Sequence, residues 1–348
     1  MHITRTPIFH LGFPSPSIAD LRMPENGPLA HLCEDLGFDY LWHSNERFFR
    51  EMFIRMASSA IATRTIQIGG AIVEPFAVHP LLTAQSLATL DELSEGRATV
   101  AIGAGGSGFQ MMGINRQHSA QAVREAYTMI RLLLAGSEVT SEGKVISAYR
   151  ARLQFTPSRP VPLWVATRGD LTLQSSGEYA DAVMIATNAA PQGICAAIDL
   201  IEQGAQKAGR SLENIRLMSR VDTCVHPDWQ KAYEGTRTMI ARILAMSYPD
   251  RKFVNRAGLE VPQRMEELYA QKDPGQISLA ARMVPDEFVS AFCWAGTPEM
   301  VAEQVVSVAN ASGLRDFGFW LLLAPGQSRA DAVRLLADKV IPLIRKSL

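Results

Sequence analysis

Short apolar runs alternate with helix-patterned stretches from one end of this chain to the other, and that alternation limits the folds open to it. The runs are Ile8–Phe13, Tyr40–Ser44, Ile66–Val73, Arg97–Gly103, Leu163–Thr167, Ala182–Ala186, Ile215–Val225 and Phe317–Leu323. Between and after them the spacing predicts helices over about Pro28–Leu36, Met52–Ala62, Pro80–Leu93, Ser119–Leu134 and Arg329–Ile344. Gly37 and Gly96 stand where a left-handed C-cap is needed, and Pro80 suits a first helical turn. Strands separated by crossovers of helical length predict a parallel sheet. Eight such units close an α/β structure, the (β/α)8 TIM barrel, where an open doubly wound sheet usually has fewer.

Two stretches fall outside the repeat. Val139–Leu153, centred on Glu142-Gly143-Lys144, alternates like a hairpin before the fifth strand. The segment from about Ser247 to Phe292, after the seventh strand, carries charges, prolines and weak periodicity. Both read as loop insertions, and long loops in compact domains are usually lids or binding loops. No second domain announces itself, so residues 1–348 read as one barrel domain.

Composition narrows the partners. With 34 basic and 35 acidic residues the net charge is −1, leaving no excess to grip a nucleic-acid backbone or an anionic membrane. A small-molecule partner is expected. Cys33, Cys195, Cys224 and Cys293 form no CxxC pair and lie in or beside apolar runs, which argues against a zinc site or a disulfide framework. No metal site is expected. The first residues lack a signal-peptide pattern and no run is long enough to span a membrane, so the reading is a cytoplasmic protein.

In a barrel of this type, chemistry sits at the C-terminal ends of the strands. That rule selects His43, Ser44, Asn45, Glu46 and Arg47 after the second strand, and Ala71, Ile72, Val73 and Glu74 at the third. It selects Gly103 to Gly108 after the fourth, including Gly105, Gly106 and Ser107. Thr167, Arg168 and Gly169 follow the fifth, Thr187 and Asn188 the sixth, and Arg220, Asp222 and His226 belong to the seventh. Glycines let backbone N–H groups approach an anion closely, though a glycine run also serves a plain turn. The run is neither a P-loop nor a GxGxxG fingerprint. Paired with Thr167-Arg168-Gly169, it reads as a place for one phosphate. Glu46 and His43 are candidates for proton transfer. The plainer reading makes Glu46-Arg47 a surface ion pair and packs His43 inside the barrel. Glu74 either lines the pocket or satisfies loop amides before Pro75.

The chain resembles the bacterial-luciferase-like oxidoreductases. The resemblance is carried by Gly37-Phe38-Asp39-Tyr40-Leu41-Trp42, by the long run from His79 to Arg97, by Val100–Gly105, by Met112-Gly113-Ile114 and by Gly296-Thr297-Pro298-Glu299. Within that family it is most similar to the methylenetetrahydromethanopterin-reductase-like branch. The resemblance implies a deazaflavin (coenzyme F420) or FMN ring in the barrel mouth, with F420 slightly preferred. It implies that the ring rests on a bulge after the third strand with a non-prolyl cis bond at Ala71–Ile72. It places the cofactor phosphate near Gly106-Ser107 and Thr167-Arg168-Gly169, and it implies a homodimer through helices beside strands two and three.

Departures accompany the likeness. Where luciferase-type monooxygenases have a catalytic histidine, this chain has Glu46, and where deazaflavin-dependent sugar dehydrogenases read Ser-Asp-His it reads Ser44-Asn45-Glu46. A glutamate those dehydrogenases carry after strand four is Gly106 here. The expected function is hydride transfer or oxygen insertion on a small organic substrate, with Glu46, aided by His43 or Asn45, handling a proton or orienting the ring. The alternative is a non-catalytic flavin-binding barrel.

Overall fold

A computed structural model of the chain describes residues 6–106, 108–186, 189–273 and 275–348. Its strands are β1 (Ile8–Phe13), β2 (Tyr40–Ser44), β3 (Gln67–Val73), β4 (Ala98–Ile102), β5 (Val139–Glu142), β6 (Ser147–Ala151), β7 (Leu163–Thr167), β8 (Ala182–Ile185), β9 (Arg216–Val225), β10 (Cys293–Gly296) and β11 (Asp316–Leu321). Eight of them close a parallel barrel in the order β1-β2-β3-β4-β7-β8-β9-β11, with β11 pairing back to β1. The eight expected strands are these eight, within two residues at either end. β5 and β6 form the expected antiparallel hairpin.

Three features differ from the expectation. The first of the expected helices runs from Met23 to Asp35 and begins well before Pro28, after a short unexpected helix at Ser15–Ile18. Its start is set by Pro24 in the first turn and by the Glu25 carboxylate, which accepts from the Arg22 N–H, so Pro28 sits inside the helix. Strand β10 was not expected; it pairs with the end of β9, Cys293 opposite Asp222 through Gly296 opposite Val225. The segment between them is more ordered than its weak periodicity predicts. It forms short helices at Lys252–Arg256, Gln263–Ala270, Gln276–Ala281 and Asp286–Phe292. These bury Val254, Met265, Leu268, Phe288 and Phe292 with Met239, Ile240 and Leu244 of the helix Trp229–Met246.

The principal core lies between the barrel and its helices, and a smaller one fills the barrel itself with Trp42, Trp164, Met184, Met218 and Trp320. Space for the tryptophans comes from glycine. A Cβ at Gly69 would lie 2.5 Å from the Trp42 ring, and one at Gly12 would lie 2.8 Å from that of Trp320. Toward the N-terminal ends of the strands, Arg216 is paired with Asp316 and donates to Tyr40 Oη at 2.8 Å. Buried His10 stacks on Tyr40 at 4.3 Å. The floor of the barrel is therefore a packed, hydrogen-bonded plug, and only the opposite end is open.

Candidate active site

The open end is a cleft of about 460 Å³ at the C-terminal ends of the strands. Side chains alternate along a strand, so Trp42 facing the barrel interior puts Leu41 and His43 against the helices. His43 is buried, does not line the cleft, and neither ring nitrogen has a hydrogen-bond partner among the described residues. Burial first, and then the charge of Arg55, push its imidazole well below the ordinary histidine range. The expected role for His43 in proton transfer is thus corrected: it is a neutral packing residue on the outer face of β2. Val73 is likewise buried and off the cleft wall.

The neighbouring positions reach the cleft. Ser44, Asn45, Glu46 and Arg47 line it after β2. At the end of β3 the pairing register with β4 shifts between Ala71 and Val73, and the Ala71–Ile72 peptide is cis. Asn45 holds this bulge from the side: its backbone N–H donates to Ala71 O and its side-chain Nδ2 to Ile72 O, each at 2.9 Å. Ala71, Ile72 and Glu74 line the cleft beside it. Glu74 pairs with Arg47 and accepts from the N–H groups of Phe76 and Ala77, so both readings of Glu74, pocket wall and loop anchor, describe it.

The glycine loop after β4 is gripped from outside. Phe109 lies between two guanidinium groups, Arg47 at 3.9 Å and Arg116 at 4.6 Å from its ring centre. Arg116 also donates to Gly105 O and, at 3.3 Å, to Ala104 O. Gly105 and Gly106 face the cleft. A Cβ at Gly106 would meet only Met246 Sδ, at 3.6 Å, so the space above this position is open. Beside it, at the end of the neighbouring strand β7, stand Thr167, Arg168 and Gly169, with Thr167 Oγ1 accepting from the Gly169 N–H at 3.1 Å. Arg168 lies 5.5 Å from the Phe253 ring. Desolvation and then Arg220 lower its pKa, with Asp222 opposing. Ser107, Thr187 and Asn188 lie outside the described residues.

Residues from the far wall complete the site. Arg220 and Asp222 pair at 2.9 Å on β9, with the guanidinium 4.9 Å from the Trp320 ring. His226, one residue past β9, is turned to Asp228 and does not line the cleft. Ser15, Met239, Arg242, Met246, Phe253 and Phe292 also line it. None of these six was singled out from the sequence as a site residue. They come from the β1 loop, the helix Trp229–Met246 and the large insertion, whose approach to the mouth no local pattern encodes.

The cleft passes a structural test for a flavin-like group. It offers a bulged strand end on one wall, an open glycine position where a Cβ would intrude, and the Arg168 guanidinium, which forms no ion pair among the described residues. An eight-stranded parallel barrel with an open, arginine-rich mouth defines the class as an α/β-barrel enzyme fold. The luciferase-like monooxygenase family model matches residues 7–315, and the chain belongs to that family. It is 29% identical over 339 residues to 5,10-methylenetetrahydromethanopterin reductase of Archaeoglobus fulgidus, covering 94% of this chain and 98% of the relative. It is 24% identical to F420-dependent glucose-6-phosphate dehydrogenase of Microbacterium testaceum, covering 90% and 91%. Among solved structures, the coenzyme F420-dependent tetrahydromethanopterin reductase of Methanopyrus kandleri superposes with a TM-score of 0.83 at 26% identity, covering 97% and 99%.

Proposed function

We propose that this protein is a deazaflavin-dependent oxidoreductase that uses coenzyme F420 for hydride transfer to or from a small organic substrate. The observation that carries the reading is the Ala71–Ile72 bulge beside the open glycine loop, at the ends of two paired strands on one wall of the cleft. Likeness to relatives described as F420-dependent favours the deazaflavin over FMN. When bound, the ring would supply the two-electron chemistry, and the protein would supply position and electrostatics.

The residues divide as follows. Ala71 and Ile72 would support one face of the ring, with Asn45 fixing the bulge. Gly105, Gly106, Thr167, Arg168 and Gly169 would hold the phosphate through backbone N–H groups, a hydroxyl and a guanidinium. Glu46, a cleft carboxylate on the same loop as Asn45, would exchange a proton with the substrate. Its presence in the cleft, together with enzymes as relatives, favours catalysis over the non-catalytic barrel.

The homodimer is carried forward as part of this reading. It is supported by Ile54 and Ile61 on the helix Met52–Ala62, which are 61% and 65% exposed. A cytoplasmic location accords with four free cysteines, three of them buried. No helix among the described residues is long and apolar enough to cross a membrane. Fluorescence titration of the purified chain with oxidised F420 tests the cofactor assignment: saturable binding at micromolar or lower concentration is expected, and its absence overturns the reading.

A further inference from the structure

The cleft holds four arginines, and among the described residues two of them are paired with carboxylates. Arg47 is paired with Glu74 and Arg220 with Asp222. Arg168 and Arg242 line the same cleft and form no ion pair among the described residues. Arg168 belongs to the loop assigned to the cofactor phosphate. Arg242 does not: it projects from the helix Trp229–Met246 and donates from Nη1 to Ser15 Oγ at 2.9 Å, just past the end of β1. That single bond fixes the guanidinium and leaves most of its five N–H donors for a ligand.

Position separates Arg242 from the cofactor residues. In the ring order β1-β2-β3-β4-β7-β8-β9-β11, strands β9, β11 and β1 lie diametrically across from β3, β4 and β7. The bulge, the glycine loop and Thr167-Arg168-Gly169 end the second group. Arg220, Trp320 and Ser15 belong to the first, and Arg242 reaches over it. Met239 and Ile243 flank Arg242 on its own helix and give the cleft an apolar wall there, while Met246, one turn on, reaches back over Gly106. A half-buried cation anchored in a cleft favours an oxyanion more strongly than a fully exposed one does.

We propose that Arg242, steadied by Ser15, binds the anionic group of the substrate, and that the substrate is an organic oxyanion with an apolar body along Met239 and Ile243. Carboxylates and phosphate monoesters share the required chemistry. This rests on the cofactor reading, because a ring and phosphate on the β3–β4–β7 arc leave the opposite arc to the substrate.

The test is calorimetric titration of the F420-loaded protein with matched probes: benzoate and benzamide, hexanoate and hexanamide, phenyl phosphate and phenol. At least one anion should bind about tenfold or more tightly than its neutral counterpart, in keeping with the strength of charge-assisted hydrogen bonds. Arg242→Gln should abolish that preference while leaving F420 affinity within about twofold, and Ser15→Ala should weaken anions a few-fold with neutral probes unmoved. No preference in any pair, or a preference that survives Arg242→Gln, overturns the proposal. A preference lost in Arg168→Gln and kept in Arg242→Gln also overturns it and moves the anion to the phosphate loop. Failure of F420 to bind would remove the cofactor reading alone. The anion preference, measured on the unloaded chain, would then stand or fall on Arg242 by the same comparison.

Discussion

The indole Nε1–H of Trp42 donates to His10 Nδ1 at 3.1 Å, and His10 Nε2 lies 2.9 Å from Asp316 Oδ1. Nδ1 must therefore accept, and the proton sits on Nε2, directed at the carboxylate. A second proton on the ring would break the bond to Trp42. Burial lowers the His10 pKa below its ordinary 6.5, although Asp316 opposes the shift. The folded state thus holds two neutral histidines, His10 and His43, that the unfolded chain protonates more readily.

Stability follows with a definite sign. Both folded pKa values lie below the unfolded one, so the stabilisation is complete above about pH 7 and is lost as pH falls below 6.5. Each histidine contributes a slope of up to about 1.4 kcal/mol per pH unit within its window. Urea midpoints from pH 8 to pH 5 should be flat and then fall. His43→Leu should flatten the acid limb; an unchanged limb would contradict the assignment of His43 as a buried neutral group.

Gly106 separates binding from folding. An added Cβ meets no backbone and only the flexible end of Met246. Gly106→Val should melt within a few degrees of the parent, since surface-like substitutions typically stay within about 0.5 kcal/mol. Its F420 affinity should drop about tenfold or more as the side chain occupies the phosphate space. Unaltered affinity would place the phosphate elsewhere.

Glu46→Gln should lower turnover about a hundredfold or more if the carboxylate moves a proton in the rate-limiting step. Cofactor affinity should change no more than a few-fold. Steady-state kinetics beside a binding titration reads both, and unchanged turnover would remove Glu46 from the mechanism.

Arg97 is the structural counterpart. Its buried guanidinium donates to Thr63 Oγ1 and to the carbonyls of Ala60, Ile66 and Ser94, joining the end of the helix Met52–Ala62 to the start of β4. Arg97→Met should cost about 3 kcal/mol by leaving buried acceptors unmet. Arg97→Lys should recover little, because an ammonium cannot reproduce the planar fork. Denaturant midpoints measure both.

The barrel was legible because each strand carries its own apolar run and each crossover its own helical period. β10 was hidden for the opposite reason: four residues, Cys293–Gly296, follow directly on a helix with no turn signal between. Asn45 and Glu46 could be chosen by the strand-end rule. His43 was chosen by the same rule and fails by one position of strand alternation, since the inward face of β2 is set by Trp42. Arg220 and Asp222 were visible on β9, but Arg242 was not. Its place over the mouth depends on how the helix Trp229–Met246 packs, and a helix pattern alone cannot say which of its residues reaches Ser15, 227 residues earlier in the chain.

The most direct measurement compares F420 and FMN on one preparation, in oxidised and reduced forms under anaerobic conditions, by ring absorbance and fluorescence. Saturable F420 binding is expected, with FMN binding at least about tenfold weaker and F420 affinity lost in Gly106→Val. Preferential binding of reduced FMN, followed by oxygen consumption, would contradict the deazaflavin hydride-transfer assignment.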